Sequence, residues 1–348
     1  MAANYQNFRS PLRLASKMAF GSDAIGRWAL MQVAATIALR PLQRLFARRE
    51  RAIVKNSHHA DDLPIILVVG GPRTGTTFAS QLLARYLDVS FFNNATEIFS
   101  ESPLWGTQLY RDPFAPTARL QAGSLYGNTF GLRGINDGFT IWNEWLGDDR
   151  YQANPIDQKA DAMRHFFANW SAAFGKPLLN KNNRNLDAMQ WLASELPNSV
   201  FVVVRRDPAQ VASSLIAARE YVQGDKNLRW GLLSTDTESD DDPLAYVDRV
   251  VEQIQQIDRR IEEQLPHIDE KRWIDVSYSD YCESPDEFVR AVAKLAGNVP
   301  VRERLLNDEQ VGAIPFRTRH QLSVDERSRL DTMLGGTPTL SHKTMARE

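Results

Sequence analysis

Between Ile65 and Thr77 an apolar run passes into a glycine-rich loop, Val69-Gly70-Gly71-Pro72-Arg73-Thr74-Gly75-Thr76-Thr77. A loop of this kind aims backbone N–H groups at an anion, and the positive end of a following helix adds to the attraction. Against the nucleotide-binding pattern G-x-x-x-x-G-K-[ST], Gly70, Gly75 and Thr77 fit, but Thr76 stands where the lysine belongs. That lysine bridges the β- and γ-phosphates of a triphosphate, so its absence argues against ATP or GTP chemistry. The cation here is Arg73, three places earlier. A second candidate cluster follows the apolar run Val200 to Val204, which reads into Arg205-Arg206-Asp207-Pro208 and, eight residues after Arg206, Ser214. Asp207 is suited to cap a helix and Pro208 to open it, and a capped helix end is also an anion site. Lys181 closes another apolar run, 25 residues before Arg206.

Pro72-Arg73-Thr74-Gly75-Thr76-Thr77 resembles the 5′-phosphosulfate loop of the sulfotransferases that use 3′-phosphoadenosine 5′-phosphosulfate (PAPS), usually written PKSGTT or PRSGTT. Arg206 and Ser214 have the spacing of that family's second motif, a strand-end arginine and a serine eight places on. The resemblance is to the bacterial-type members, related to the protein-tyrosine and heparan sulfotransferases. It runs from about Ile65 to the region of Ala291, most of the chain beyond the N-terminal segment. It implies PAPS as co-substrate, no metal requirement, and Arg73, Thr74, Gly75, Thr76 and Thr77 around the 5′-phosphosulfate. It further implies Arg206 and Ser214 on the 3′-phosphate, with Arg205 as a supporting cation or a structural neighbour. Lys181 would stabilise charge forming on the leaving oxygen. Tyr278, in Trp273 to Tyr281, matches a late-strand tyrosine near the adenosine, or is a half-buried strand residue. Arg317, in Phe316-Arg317-Thr318-Arg319-His320, lies where relatives close a basic loop over the 3′-phosphate.

The general base departs from the family pattern. Lys181-Asn182-Asn183 lacks the histidine that cytosolic sulfotransferases carry beside this lysine. In the protein-tyrosine and heparan enzymes a glutamate shortly after the first helix serves instead. Glu97 is the first carboxylate in that neighbourhood, with Glu101 and Glu144 as rivals. The implied catalytic set is Glu97, Lys181 and Arg73.

The elements that must position these groups read as α/β. Ile65 to Val69 and Val200 to Val204 are continuous apolar runs suited to strands buried on both faces. Helices are expected over Phe78 to Leu87, Met163 to Phe174, Leu186 to Leu196 and Leu244 to Leu265, with a short strand near Val89 to Phe92. This alternation predicts a P-loop-like, three-layer core around a mainly parallel sheet. From about Ser100 to Tyr151 periodicity fades and aromatics accumulate, as in a functional insertion or lid. The acidic run Ser234 to Pro243 lacks the turn glycine and terminal glutamate of a calcium loop and reads as a solvated loop.

Residues 1–60 form a basic helical extension, followed by the catalytic domain over 61–348. The first 55 residues carry ten Lys and Arg against only Asp23 and Glu50. Trp28 to Leu39 is apolar but too short to span a bilayer, and it lacks the features of a secretory signal. Two readings stand: a helical element packed on protein, which is the commoner case, or peripheral contact with an anionic membrane. One cysteine, Cys282, permits no internal disulfide and no zinc cluster, pointing to a reducing, cytoplasmic setting. A net charge of −2 offers no bulk attraction to nucleic acid. The expected activity is sulfuryl transfer to a hydroxyl or amine of a glycan, lipid or small molecule. The alternatives are a divergent P-loop nucleotide kinase and an inactive nucleotide-binding scaffold.

Overall fold

Five parallel strands form the sheet of this computed structural model, in the order β2-β3-β1-β4-β5. The structure describes residues 8–21, 23–56, 63–109, 111–116, 124–237, 242–308 and 322–335. The strands are β1 (Ile65–Val69), β2 (Ser90–Phe91), β3 (Leu178–Lys181), β4 (Ser199–Arg205) and β5 (Trp273–Ser277). β1 and β4 are buried at every position, which explains why they are unbroken apolar runs rather than alternating ones. From β1 the chain moves to one side for β2 and β3 and to the other for β4 and β5. In a sheet wound this way, ligands sit outside the carboxyl ends of the strands, where the connections part.

The helix Thr76–Tyr86 follows β1 and packs its apolar side into the main core. The long helix Ala245–Gln264 presents its apolar stripe to Pro208–Ala218 and Val324–Leu334, forming a second core cluster. Four elements differ from the sequence reading. The segment from 100 to 151 is not wholly irregular, since it carries the helices Pro103–Gln108 and Phe139–Leu146. Their short lengths, six and eight residues, gave the periodicity too few turns to show. The helix expected over Leu186 to Leu196 is two shorter ones, Arg184–Asp187 and Met189–Glu195, parted at Ala188. β5 stops at Ser277, whose hydroxyl caps Ser279, so Tyr278 begins a helix, Tyr278–Glu283, rather than lying on the strand.

The N-terminal segment is three helices, Pro11–Phe20, Ala24–Ala38 and Arg40–Asn56. Pro41 falls in the first turn of the third, where its missing N–H costs nothing. One face packs on the domain. Gln43 donates to the carbonyl of Ile98 at 2.6 Å, Phe46 stacks on Trp105 at 3.5 Å, and Trp28 meets Phe130. The Glu50 carboxylate accepts from the backbone N–H groups of Leu104 and Trp105 at the start of Pro103–Gln108. The other face leaves Leu12, Phe20, Met31, Ile37 and Leu45 more than half exposed. No helix among the described residues is long and apolar enough to cross a membrane.

Candidate functional site

Four strand ends deliver side chains to one cavity of about 290 Å³. The loop after β1 contributes Pro72, Arg73, Gly75, Thr76 and Thr77; the end of β3 contributes Lys181; β4 is followed by Arg206; β5 is followed by Tyr278. The shape of the β1 loop is dictated by close packing. Gly75 has φ 104°, and a Cβ there would come within 2.3 Å of the Tyr278 ring and 2.4 Å of the Tyr281 hydroxyl. Tyr281 donates to the Gly75 carbonyl at 3.0 Å, and the Thr74 hydroxyl donates to the Gly71 carbonyl at 2.8 Å. The loop therefore meets the helix Thr76–Tyr86 with Gly75 at its cap, leaving the first N–H groups of the helix without intrahelical acceptors.

The basic groups are interlocked. Arg73 itself has φ 73°, uncommon for a residue with a side chain, and its Nε donates to Ser214 Oγ at 2.8 Å. Arg206 donates to the Arg73 carbonyl at 3.2 Å and to Gln210 at 3.1 Å, and its guanidinium lies 4.3 Å above the Tyr278 ring. The sequence motifs, 133 residues apart, thus converge, and Arg73 stands with Arg206 and Ser214 in one cluster. Arg205 is different. Its side chain is 6% exposed and paired with Asp275, Asp258 and Glu262, tying β4 to β5 and the long helix. Of the two readings left open for it, the structural one is what the geometry shows.

Lys181 is 4% exposed and its ammonium lies 2.6 Å from Asp137 Oδ1. Asp137 is fixed from behind, because Asn180 and Asn182 donate to its carbonyl at 3.4 and 3.3 Å. Trp142 Nε1 donates to Asn180 Oδ1 at 2.8 Å, so the helix Phe139–Leu146 is bound to the same strand end. Arg184 completes the attachment by donating to Phe139 O, Gly147 O, Asp149 O and Asn143 Oδ1. Its burial pushes the guanidinium down to about 9. Asn182, beside Lys181, serves to hold Asp137.

Glu97 lies on the short helix Asn94–Ile98, whose start is fixed by a capping box between Asn93 and Thr96. Its Oε1 accepts from both the backbone N–H and the hydroxyl of Thr140. Oε2 is buried with no hydrogen-bond partner among the described residues. Burial pushes this carboxyl up to about 7; the Thr140 hydrogen bonds and Arg150 pull it down, and the charge of Asp137 adds to the rise. Glu97 does not line this cavity but an adjoining one, and Asp137, Phe139 and Arg150 are among the residues that line both. The rivals are placed elsewhere: Glu101 pairs with Arg40, and Glu144 is exposed and paired with Lys159. Arg317 falls outside the described residues. Among the described residues no group of three or more His, Cys, Asp or Glu could hold a metal ion.

Sequence reasoning missed Asp137. It sits in Asn136-Asp137-Gly138-Phe139, and Gly138, at φ 63°, packs its α-carbon against Phe92. The Asp-Gly turn signal opening an aromatic stretch was available, but only the fold brings it to Lys181, 44 residues away.

A family model described as "Sulfotransferase family" matches residues 64–299. Among solved structures, the chain is similar to sulfotransferase STF9 from Mycobacterium avium at 13% identity, over 99% of this chain and 100% of that one, with a TM-score of 0.54. It is also similar to sulfotransferase STF1 from Mycobacterium tuberculosis H37Rv at 14% identity, over 95% and 93% of the two chains, with a TM-score of 0.49. No curated protein matches the chain. The likeness to STF9 agrees with the parallel α/β sheet described above.

Proposed function

This chain belongs to the sulfotransferase family, and from that premise we propose that it transfers a sulfuryl group from PAPS to an acceptor hydroxyl. The observation that carries the reading is the meeting of the β1 loop, Lys181, Arg206 and Tyr278 in one cavity at the carboxyl ends of the sheet. The residues fit the donor. Arg206 and Ser214 suit the 3′-phosphate, and Arg73, expected at the 5′-phosphosulfate, is turned toward Ser214 and adds its charge there, with Tyr278 as a face for the base. The N–H groups at the start of Thr76–Tyr86 suit the 5′-phosphosulfate.

In the transfer, the acceptor oxygen forms a bond to sulfur while the bond from sulfur to the bridging oxygen of the 5′-phosphate breaks. The electron pair stays with the phosphate, and Lys181 and the loop N–H groups offset the charge that appears there. The acceptor proton goes to Glu97. A carboxyl that titrates near 7 can take a proton at neutral pH, whereas an ordinary carboxylate is a weaker base there. Asp137 is a positioning residue that holds Lys181 at the join of the cavities.

A second reading makes Asp137 the base, favoured by its place on the walls of both cavities. The kinase alternative has no such support, since Thr76 replaces the phosphate-bridging lysine. Calorimetry with 3′-phosphoadenosine 5′-phosphate and with AMP, both without magnesium, tests the donor. The 3′-phosphorylated nucleotide should bind far more tightly, and equal affinities would remove the assignment. Transfer of label from PAPS to an acceptor separates an enzyme from an inactive scaffold.

A further inference from the structure

The cavity that Glu97 lines has a volume of about 530 Å³, within the range that accommodates a drug-sized molecule. Its two ends differ in chemistry. One wall is built by the helices Pro11–Phe20 and Ala24–Ala38, which present Leu14, Met18, Ala29, Leu30 and Val33. Gln32 and Thr36 also line that wall, and the Thr36 hydroxyl already donates to the Gln32 carbonyl at 2.9 Å. The other end holds Glu97, Thr140 and Asp137, next to Lys181 and the nucleotide cavity. Leu12 and Ile37, also on the lining, are 86% and 59% exposed, so the rim is apolar as well.

Resting on the sulfuryl-transfer reading, we propose that this cavity is the acceptor site and that the acceptor is an alcohol or phenol with a single reactive hydroxyl on an apolar body. The body lies against the N-terminal helices and the hydroxyl reaches the Glu97 end. A sugar is the wrong shape of chemistry for such a wall. It carries a hydroxyl on nearly every carbon, and each one buried without a partner gives up its hydrogen bonds to water with no return. The apolar body gains instead from leaving water. The reaction is the one already balanced: the hydroxyl oxygen bonds to sulfur, its proton passes to Glu97, and the 5′-phosphate departs with the electron pair. The N-terminal extension is then the wall that selects the substrate.

The test uses the full chain, the uncharged dye N-phenyl-1-naphthylamine, and labelled PAPS. Dodecanol should displace the bound dye and accept label, while glucose should do neither. Ala29→Trp fills the cavity, and Leu14→Gln places an amide in it at similar volume. Each should lower kcat/KM for dodecanol by roughly tenfold or more, with affinity for 3′-phosphoadenosine 5′-phosphate unchanged. That retained affinity also certifies that the variant is folded. Failure of dodecanol to displace the dye from the wild-type chain, glucose as the better acceptor, or wild-type dodecanol kinetics in a folded variant would overturn the proposal. Loss of the sulfuryl-transfer reading looks different: the wild-type chain would not bind 3′-phosphoadenosine 5′-phosphate, whatever the dye does.

Discussion

The two adjoining cavities are built by opposite means. The cavity proposed for the nucleotide takes its residues from the ends of four strands, and backbone geometry shapes much of it: Gly75 at φ 104°, Arg73 at φ 73°, the first turn of Thr76–Tyr86. The apolar cavity takes its walls from two N-terminal helices and the segment around 125–140, with no backbone group in an unusual role along the helices. A phosphate demands particular donors at particular places, so its site leaves a spaced pattern. An apolar wall demands only volume and hydrophobicity, which many sequences supply. On the proposed function, fixed chemistry belongs to the sheet, and choice of acceptor to the elements laid over it.

Glu97 lines the second cavity and is the proposed base, so its loss should have the largest effect. Glu97→Gln is expected to lower turnover by roughly 10²–10⁴-fold while nucleotide affinity holds. The limb of the pH–rate profile that rises through about 7 should vanish with it, because that limb reports deprotonation of Glu97. Asp137→Asn should lower turnover less and keep the limb. If Asp137→Asn erases the limb and Glu97→Gln does not, the base is Asp137. Lys181→Ala comes next, at about 10²–10³-fold in turnover, as for removal of a donor to developing negative charge. A Lys181→Ala enzyme whose loss lay in nucleotide affinity rather than turnover would place that lysine in ground-state binding.

How far the sequence disclosed each cavity follows from the same contrast. The sheet, the β1 loop and the Arg206–Ser214 spacing were legible, because Pro72 to Thr77 and that spacing are local patterns. The extra contact of Arg73 with Ser214 was not, since it spans 141 residues and exists only in the fold. Tyr278 was placed on a strand by its resemblance to a late-strand tyrosine of the family, yet the Ser277 cap turns the chain into a helix there. Asp137 carried only an Asp-Gly turn signal that does not point to Lys181, and the cavity wall at Ala29 carried no local signal. The former depends on Asn180 and Asn182 at the end of β3, the latter on how the N-terminal helices pack on Ile98, Trp105 and Phe130.

A smaller effect belongs wholly to the polar side. Arg206→Ala removes a charge-assisted contact and the guanidinium above Tyr278. It should weaken 3′-phosphoadenosine 5′-phosphate by roughly 10- to 100-fold, the equivalent of about 1.5–3 kcal/mol. AMP, which lacks the 3′-phosphate, should be nearly unaffected. An equal loss for both nucleotides would mean that Arg206 supports the loop through the Arg73 carbonyl rather than reading the phosphate.

The smallest effect is on stability, and it probes the seam between the cavities without any substrate. The folded-state value of Glu97, about 7, lies above the ordinary 4.5 because burial penalises the charged form. The folded chain thus holds this proton more tightly than the unfolded chain. Its stabilising contribution is complete below about 4.5 and is lost as pH rises through about 7, where the buried group must ionise. Glu97→Gln cannot ionise and escapes that loss, although its new amide lacks an assured acceptor and carries a cost that does not change with pH. Glu50, also pushed up to about 7 by burial, loses stability over the same window, but it does so equally in both proteins and cancels from the comparison. The melting temperature of Glu97→Gln relative to wild type should therefore be higher at pH 8.5 than at pH 5.5, by about 1–3 kcal/mol in equivalent free energy. A difference that stays constant across the two pH values would mean that Glu97 is already ionised in the folded chain well below neutrality. The raised value that suits Glu97 to take a proton at neutral pH would then be absent.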